Sequence, residues 1–299
     1  MMQDRTAYLR QLPAVDEVLR AAQQQTWSAS YARSTVTTAV RDVLTGCRQT
    51  ILRAADPAQL DGLPLTPAAV LERVRDRLEA TEAYHLQRVI NATGVIAHTN
   101  LGRSLLAPEA LANLHVVAES YSNLEYDLQQ GRRGSRYAHI EPTLTRLSGA
   151  EAALVVNNNA AAVFLALQAL ASGKEVIVSR GQLIEIGGSF RIPDIMRSSG
   201  AVLREVGTTN KTHRRDYEQA ISEHTALLLR VHTSNYRIVG FTAEVPLRDL
   251  VELGQAHNLP VLEDLGSGTL IDLRPFGLPD EPTVPEVVAG GADVVTFSG

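Results

Sequence analysis

Several short polar clusters in this 299-residue chain each stand next to an apolar run, and their residue types could do chemistry. After Val155-Val156 come three asparagines, Asn157, Asn158 and Asn159, and then Ala160-Ala161-Ala162. Asparagine tolerates unusual backbone angles and caps helices. Alanines let a ligand approach a first helical turn, where unpaired amides and the helix dipole favour an anion such as phosphate. A plain helix cap is the competing reading. After Val261-Leu262 comes Glu263-Asp264-Leu265-Gly266-Ser267-Gly268. A buried strand would deliver Asp264 at its C-terminal end, the edge where open α/β sheets bind ligands. That carboxylate could meet a ring nitrogen, a metal or a ribose, or could simply cap a turn. Val231 leads into His232-Thr233-Ser234-Asn235-Tyr236, and Arg180-Gly181-Gln182 precedes Ile186-Gly187-Gly188-Ser189-Phe190. Clusters at successive strand ends would line one pocket from several sides. A further polar stretch runs from Asn91-Ala92-Thr93-Gly94 to His98-Thr99-Asn100-Leu101-Gly102-Arg103. Glycine beside Arg103 suits an oxyanion clamp, with a surface salt bridge as the alternative.

The elements that must position these groups follow from periodicity. From about residue 89, apolar runs at 152–156, 176–178, 202–206, 226–231, 261–262 and 294–297 alternate with helical stretches at 160–171, 193–198, 215–221, 247–257 and 285–289. Short apolar runs alternating with amphipathic helices predict a mostly parallel sheet covered on both faces. Residues 1–88 read as helical instead. Pro13 suits a first turn, with Val15, Val18 and Leu19 behind it. Val36, Val40, Val43, Leu44, Cys47 and Ile51 mark one face of a second helix. Thr66-Pro67 starts a third, carrying Val70, Leu71, Val74 and Leu78. The expected organisation is thus a helical domain over 1–88 and an α/β domain over 89–299.

Composition narrows the class. Hydrophobic residues make up 44% and charged residues 20%, as in a globular protein with a sizeable core. No apolar run reaches the roughly 20 residues that span a bilayer, and no signal-peptide core follows Met1, so a cytoplasmic protein is expected. Cys47, the single cysteine, excludes an internal disulfide and reads as a small buried hydrophobe; no metal site is expected. The net charge of −5 does not advertise a nucleic-acid binder, although residues 1–88 hold 11 Arg and no Lys against 10 acidic residues. Lysine is scarce: Lys174 and Lys211 are the only two.

The clusters, in order, resemble the successive signatures of the bacterial selenocysteine synthase family, the L-seryl-tRNA(Sec) selenium transferases. The resemblance rests on Arg88-Val89-Ile90-Asn91-Ala92-Thr93-Gly94, His98 to Arg103, Val155 to Ala161, Gly187 to Asp194, Glu205-Val206-Gly207-Thr208-Thr209-Asn210, His232 to Tyr236 and Asp264 to Gly268, with Leu12-Pro13-Ala14-Val15-Asp16 similar to the start of the family's N-terminal domain. It extends from about residue 9 to the end. It implies the aminotransferase-like fold type I of pyridoxal-phosphate enzymes, with a small N-terminal helical domain. The cofactor's phosphate would sit on Asn158, Asn159 and Ala160. Asp264 would hold the pyridine nitrogen protonated. Ser234 and Asn235 would contact the ring hydroxyl or the amino acid, and Ser298 would join the cofactor contacts. Gln182 lies where the family usually has Glu, facing the ring region. Arg103 would bind the oxyanion of selenophosphate through its fork of donors.

The implied reaction converts serine on selenocysteine tRNA into selenocysteine: water leaves the β-carbon, and selenium from selenophosphate adds there. The resemblance also implies a homo-oligomer, a ring of dimers in the family, whose helical domain grips the tRNA. Arg33, Arg41, Arg48, Arg53, Arg73, Arg75 and Arg77 are the candidate contacts. The family's cofactor-bearing lysine follows the motif Thr296-Phe297-Ser298-Gly299, so a sequence cut before that lysine, and inactive alone, is expected; Lys174 and Lys211 stand elsewhere. Two other readings keep parts of this pattern: a related cofactor enzyme acting on a small amino acid or amino sugar, and a non-catalytic RNA-binding or assembly protein.

Overall fold

The structure is a computed structural model that describes residues 2–54, 60, 63–183, 185–186, 190–234, 236–278 and 281–299. Its contacts divide the chain into two compact units, Met1–Ala110 and Leu111–Gly299.

The first unit is helical: α1 (Met2–Gln11), α2 (Val15–Gln23), α3 (Arg33–Arg53) and α4 (Pro67–Glu82). Thr66 caps α4 by accepting from the Ala69 amide, and Pro67 occupies the first turn, as the sequence signal predicts. Val18, Val40, Leu44, Val70 and Val74 are fully buried together, so the apolar faces of α2, α3 and α4 meet in one core. Cys47 is buried on the same side of α3. Residues 83–107 hold one short 3-10 turn, Thr99–Leu101, and an isolated bridge between His98 and Arg103. The expected 88/89 boundary falls in this stretch without regular elements. The division by contacts falls later, inside α5 (Pro108–Ala118).

The second unit continues with a small hairpin, β1 (Tyr126–Asp127) and β2 (Arg132–Arg133), then α6 (Glu141–Ser148) and α7 (Asn159–Ala171). β3 (Glu175–Ser179) follows, then a second hairpin, β4 (Glu185–Ile186) and β5 (Phe190–Arg191), and α8 (Ile192–Ser199). β6 (Val202–Val206), α9 (Arg214–Ala220), β7 (Thr225–Val231), α10 (Leu247–His257), β8 (Val261–Asp264), α11 (Val284–Ala289) and β9 (Val294–Thr296) complete it. The main sheet has the order β6-β3-β7-β8-β9, with every pairing parallel.

Helices cover both faces. On one, Val163 and Leu167 of α7 and Ile192 and Met196 of α8 pack on Val176, Val178, Leu227, Leu229 and Leu262. On the other, Tyr217 of α9 and Leu250 and Leu253 of α10 pack on Ile177, Leu228 and Val261. Strands buried on both sides must be apolar at nearly every position, which is why they read as continuous runs. The run at 152–156 is the exception. It forms no strand, and Leu154 and Val155 are half exposed. An apolar run becomes a strand only where another strand pairs with its backbone, and none of the described strands pairs with this one.

Candidate active site

β8 runs between β7 and β9, and all four of its residues are buried. Side chains alternate along a strand, so Leu262 and Asp264 share the face covered by α7, while Val261 and Glu263 take the other. Asp264 thus emerges at the carboxyl edge of a central strand, under the start of α7. Its Oδ1 accepts from Asn159 Nδ2 at 2.7 Å, from the Gly266 amide at 3.0 Å and from Thr296 Oγ1 at 3.2 Å. Burial pushes this carboxyl above its usual range, while the three donors and the nearby His232 pull it down. Its Oδ2 has no hydrogen-bond partner among the described residues.

α7 opens directly above. Asn158 is its N-cap, accepting from the Ala161 amide at 2.9 Å. Asn159, the first helical residue, turns its amide group to Asp264, and its Oδ1 is left buried with no partner among the described residues. The first turn carries no acidic side chain.

The loop after β8 closes tightly. Gly266 has φ +67°, and a Cβ there would come within 3.0 Å of Ser234 Oγ. A Cβ on Gly268 would meet Phe297 at 2.5 Å. The Ser298 amide donates to the carbonyls of Gly266 and Ser267 at 2.9 and 3.1 Å. Gln182 is buried, and its Oε1 accepts the Val231 amide at 3.1 Å, joining the ends of β3 and β7. The chain leaves β3 toward β6 on one side and returns to β7 on the other, so this is the sheet's topological switch point.

These features fit pyridoxal phosphate. A buried carboxylate with one free oxygen suits a protonated ring nitrogen. A capped helix start without acidic residues suits a phosphate.

Comparison with known proteins agrees. Residues 89–299 match the L-seryl-tRNA selenium transferase family, and residues 9–48 match the selenocysteine synthase N-terminal family. The chain belongs to the L-seryl-tRNA selenium transferase family. It is 56% identical over 288 residues to the L-seryl-tRNA(Sec) selenium transferase of Geobacter metallireducens, covering 96% of this chain and 62% of that protein. With the enzyme of the same name from Solidesulfovibrio magneticus it shares 59% over 293 residues, covering 97% and 61%. The chain therefore spans about three fifths of the length of these relatives. Among solved structures, a D-glucosaminate-6-phosphate ammonia-lyase aligns with 71% of this chain and 54% of its own, at TM-score 0.55 and 26% identity. The fold is the aminotransferase-like α/β class expected from the sequence.

The selenium transferase motifs fall unevenly across the structure. Asn158, Asn159, Ala160, Asp264, Ser234 and Ser298 come together at the carboxyl edge of the sheet. Two site residues have structural duties: Asn158 caps α7, and Gln182 spends its carbonyl oxygen on a strand amide. Asn235 lies outside the described residues, as do Gly187, Gly188 and Ser189. Arg103 belongs to the first unit, at φ 64° in the His98–Arg103 bridge. Lys174 precedes β3, at the opposite end of the strand from the site, and Lys211 lies under the Phe241 ring at 6.0 Å. Of the arginine set, Arg33, Arg41, Arg48 and Arg53 are exposed on α3, Arg73 is exposed on α4, Arg75 pairs with Asp76 and Glu79, and Arg77 pairs with Asp42 at 2.8 Å. No helix among the described residues is long and apolar enough to cross a membrane. Sequence reasoning gave no role to Thr296, and none to the contact of His232 with Glu281. A threonine ending a strand carries no mark of its own, and 49 residues separate the other two.

Proposed function

We propose that the chain serves the reaction of its family: conversion of L-seryl-tRNA(Sec) to L-selenocysteinyl-tRNA(Sec) with selenophosphate and pyridoxal phosphate. The observation that carries this reading is the 2.7 Å contact between Asn159 and Asp264, in a chain 56% identical to a named selenium transferase. It sets a helix N-terminus and a buried carboxylate within the reach of one phosphorylated ring.

When bound, the cofactor supplies an electron sink for negative charge at the serine α-carbon. Asp264 holds a proton at the ring nitrogen through its free oxygen, and the Asn159, Gly266 and Thr296 donors keep the carboxylate aimed. The amides of Asn159 and Ala160 bind the phosphate. Gln182 fixes the wall between β3 and β7, and Ser234, Asn235 and Ser298 orient the ring and the amino acid. Arg103 binds the selenophosphate oxyanion. The exposed arginines of α3 meet the tRNA backbone; Arg41 and Arg48 are seven residues apart, close to two helical turns, and so share a side of the helix. The domain division at 88/89 is part of the same reading: helices for RNA, sheet for cofactor. Exposed Leu111, Leu114, Val116 and Val117 on α5, which has no buried residue, support a homo-oligomer. A charged tRNA as substrate places the work in the cytoplasm.

Equilibrium dialysis of the 299-residue chain with pyridoxal phosphate tests the site. Wild type should bind the cofactor, and Asp264→Asn should weaken binding at least about tenfold, the worth of one charge-assisted hydrogen bond. Equal binding by the variant would overturn the assignment of Asp264. Gel-shift titration with seryl-tRNA(Sec) and ordinary seryl-tRNA tests the substrate, and equal affinities would count against it.

A further inference from the structure

We propose that Tyr236 is a positioning residue, whose hydroxyl pins in place the stretch of chain that carries Ser234. The inference rests on the reading of Ser234 as a contact of the ring hydroxyl, and adds one residue to it.

His232, Ser234 and Tyr236 follow β7, and the first and last of them are tied to the strands on either side of it. The His232 amide donates to the Asp264 carbonyl at 2.8 Å, at the end of β8. The Tyr236 hydroxyl donates to the Gly181 carbonyl, in the turn that follows β3. β3 and β8 flank β7 in the sheet, so the two ties together span three strands. Ser234 lies between them. Its amide donates to the His232 carbonyl at 3.0 Å, and its Oγ stands 3.0 Å from where a Cβ on Gly266 would be. The ties hold the Ser234 hydroxyl against the loop that follows Asp264.

The Tyr236 tie has a fixed anchor. A Cβ on Gly181 would come within 2.7 Å of the Thr209 carbonyl oxygen, so the turn after β3 is pressed against the loop after β6. The next residue, Gln182, is buried and accepts the Val231 amide at 3.1 Å, which locks the same turn to the end of β7. Tyrosine suits the task, because a stiff, part-buried ring carries a single polar atom to that anchor. Supporting bonds of this kind keep a binding group within a fraction of an ångström of its working place. Among the described residues the Tyr236 hydroxyl bonds Gly181 and none of the groups assigned to the cofactor, so it acts through Ser234.

The test is a double-mutant cycle on pyridoxal phosphate binding by the full 299-residue chain, read by equilibrium dialysis, with melting temperature and far-UV circular dichroism as controls for folding. Tyr236→Phe removes only the hydroxyl and should weaken binding about fivefold, the worth of one neutral hydrogen bond. Ser234→Ala should weaken it by a similar factor. Once the Ser234 hydroxyl is gone the pin has nothing to hold, so the double variant should bind as Ser234→Ala does. A side chain that only braced the fold would lower the melting temperature and leave binding unchanged. Wild-type affinity in Tyr236→Phe, or a double variant whose loss is the product of the two single losses, overturns the pin. Ser234→Ala separates this from the underlying reading. Weak binding by Ser234→Ala with wild-type affinity in Tyr236→Phe rejects the pin alone. Wild-type affinity in Ser234→Ala, or no binding by wild type, rejects the ring-hydroxyl reading, and the pin with it.

Discussion

Two neighbouring acids, Glu263 and Asp264, leave the same strand on opposite faces and meet different chemistry. Asp264 finds neutral donors and an open side. Glu263 is fully buried and paired with Arg230, yet its Oε2 and the Arg230 Nε have no partner among the described residues. Burial lifts the Glu263 carboxyl to about 7, against the pull of Arg230. An acid raised in the folded state keeps a proton that the unfolded chain has already released. Stability should therefore fall as pH rises from the ordinary glutamate range to about 7. Glu263→Gln does not titrate. In urea unfolding it should gain on wild type by about 2 kcal/mol between pH 5 and pH 8, since a tenfold change in a proton-binding constant is worth about 1.4 kcal/mol. A difference that stays constant across that range would show that Arg230 keeps Glu263 ionised throughout.

Elements were legible where one physical demand dominated. Doubly covered strands had to be apolar, so 176–178, 226–231 and 261–262 stood out, while the edge strand at 202–206 is mostly exposed and carries Arg204 and Glu205, and α10 follows the 247–257 pattern to its ends. The same rule misled at 152–156, because an apolar run does not say whether a neighbouring strand exists to pair with it. The cup around Asp264 was only half visible. Its glycines and the asparagine run signal a tight loop and a helix start, but Asn159 lies 105 residues from the acid it touches. Spacing along a chain carries no trace of such a contact. The bond that Gln182 makes to the Val231 amide was likewise unreadable from its position in the sequence. Toward the end of α10, Gly254 shows how close the layers sit: a Cβ there would come within 2.6 Å of the Leu259 carbonyl and 2.9 Å of Val261. Alanine normally favours a helix over glycine by about 1 kcal/mol. Gly254→Ala should nonetheless lower the melting temperature, because crowding a packed layer costs about 1–3 kcal/mol. A higher melting temperature would mean that α10 shifts freely on β8.

Each unit of the molecule has its own core, one gathered around Leu44 and Val70, the other on the two faces of the sheet. α5 belongs to neither, with Leu111 at 52% and Leu114 at 57% exposed in an apolar helix. A monomer rarely leaves such a patch in water. Light scattering should show an associated species for wild type, and Leu111→Asp with Leu114→Asp should reduce its mass while circular dichroism stays unchanged. Unaltered mass would remove α5 from the subunit contacts. The order of the strands has a consequence during synthesis. Asn159 leaves the ribosome long before Asp264, and Thr296 later still, yet these three side chains must meet for the pocket to exist. On the proposed reading of Asp264 and Asn159, a nascent chain would assemble the full set of vitamin B6 contacts only after β9 has emerged and paired with β8. Loading with the vitamin would then report that translation and sheet assembly have both passed that point.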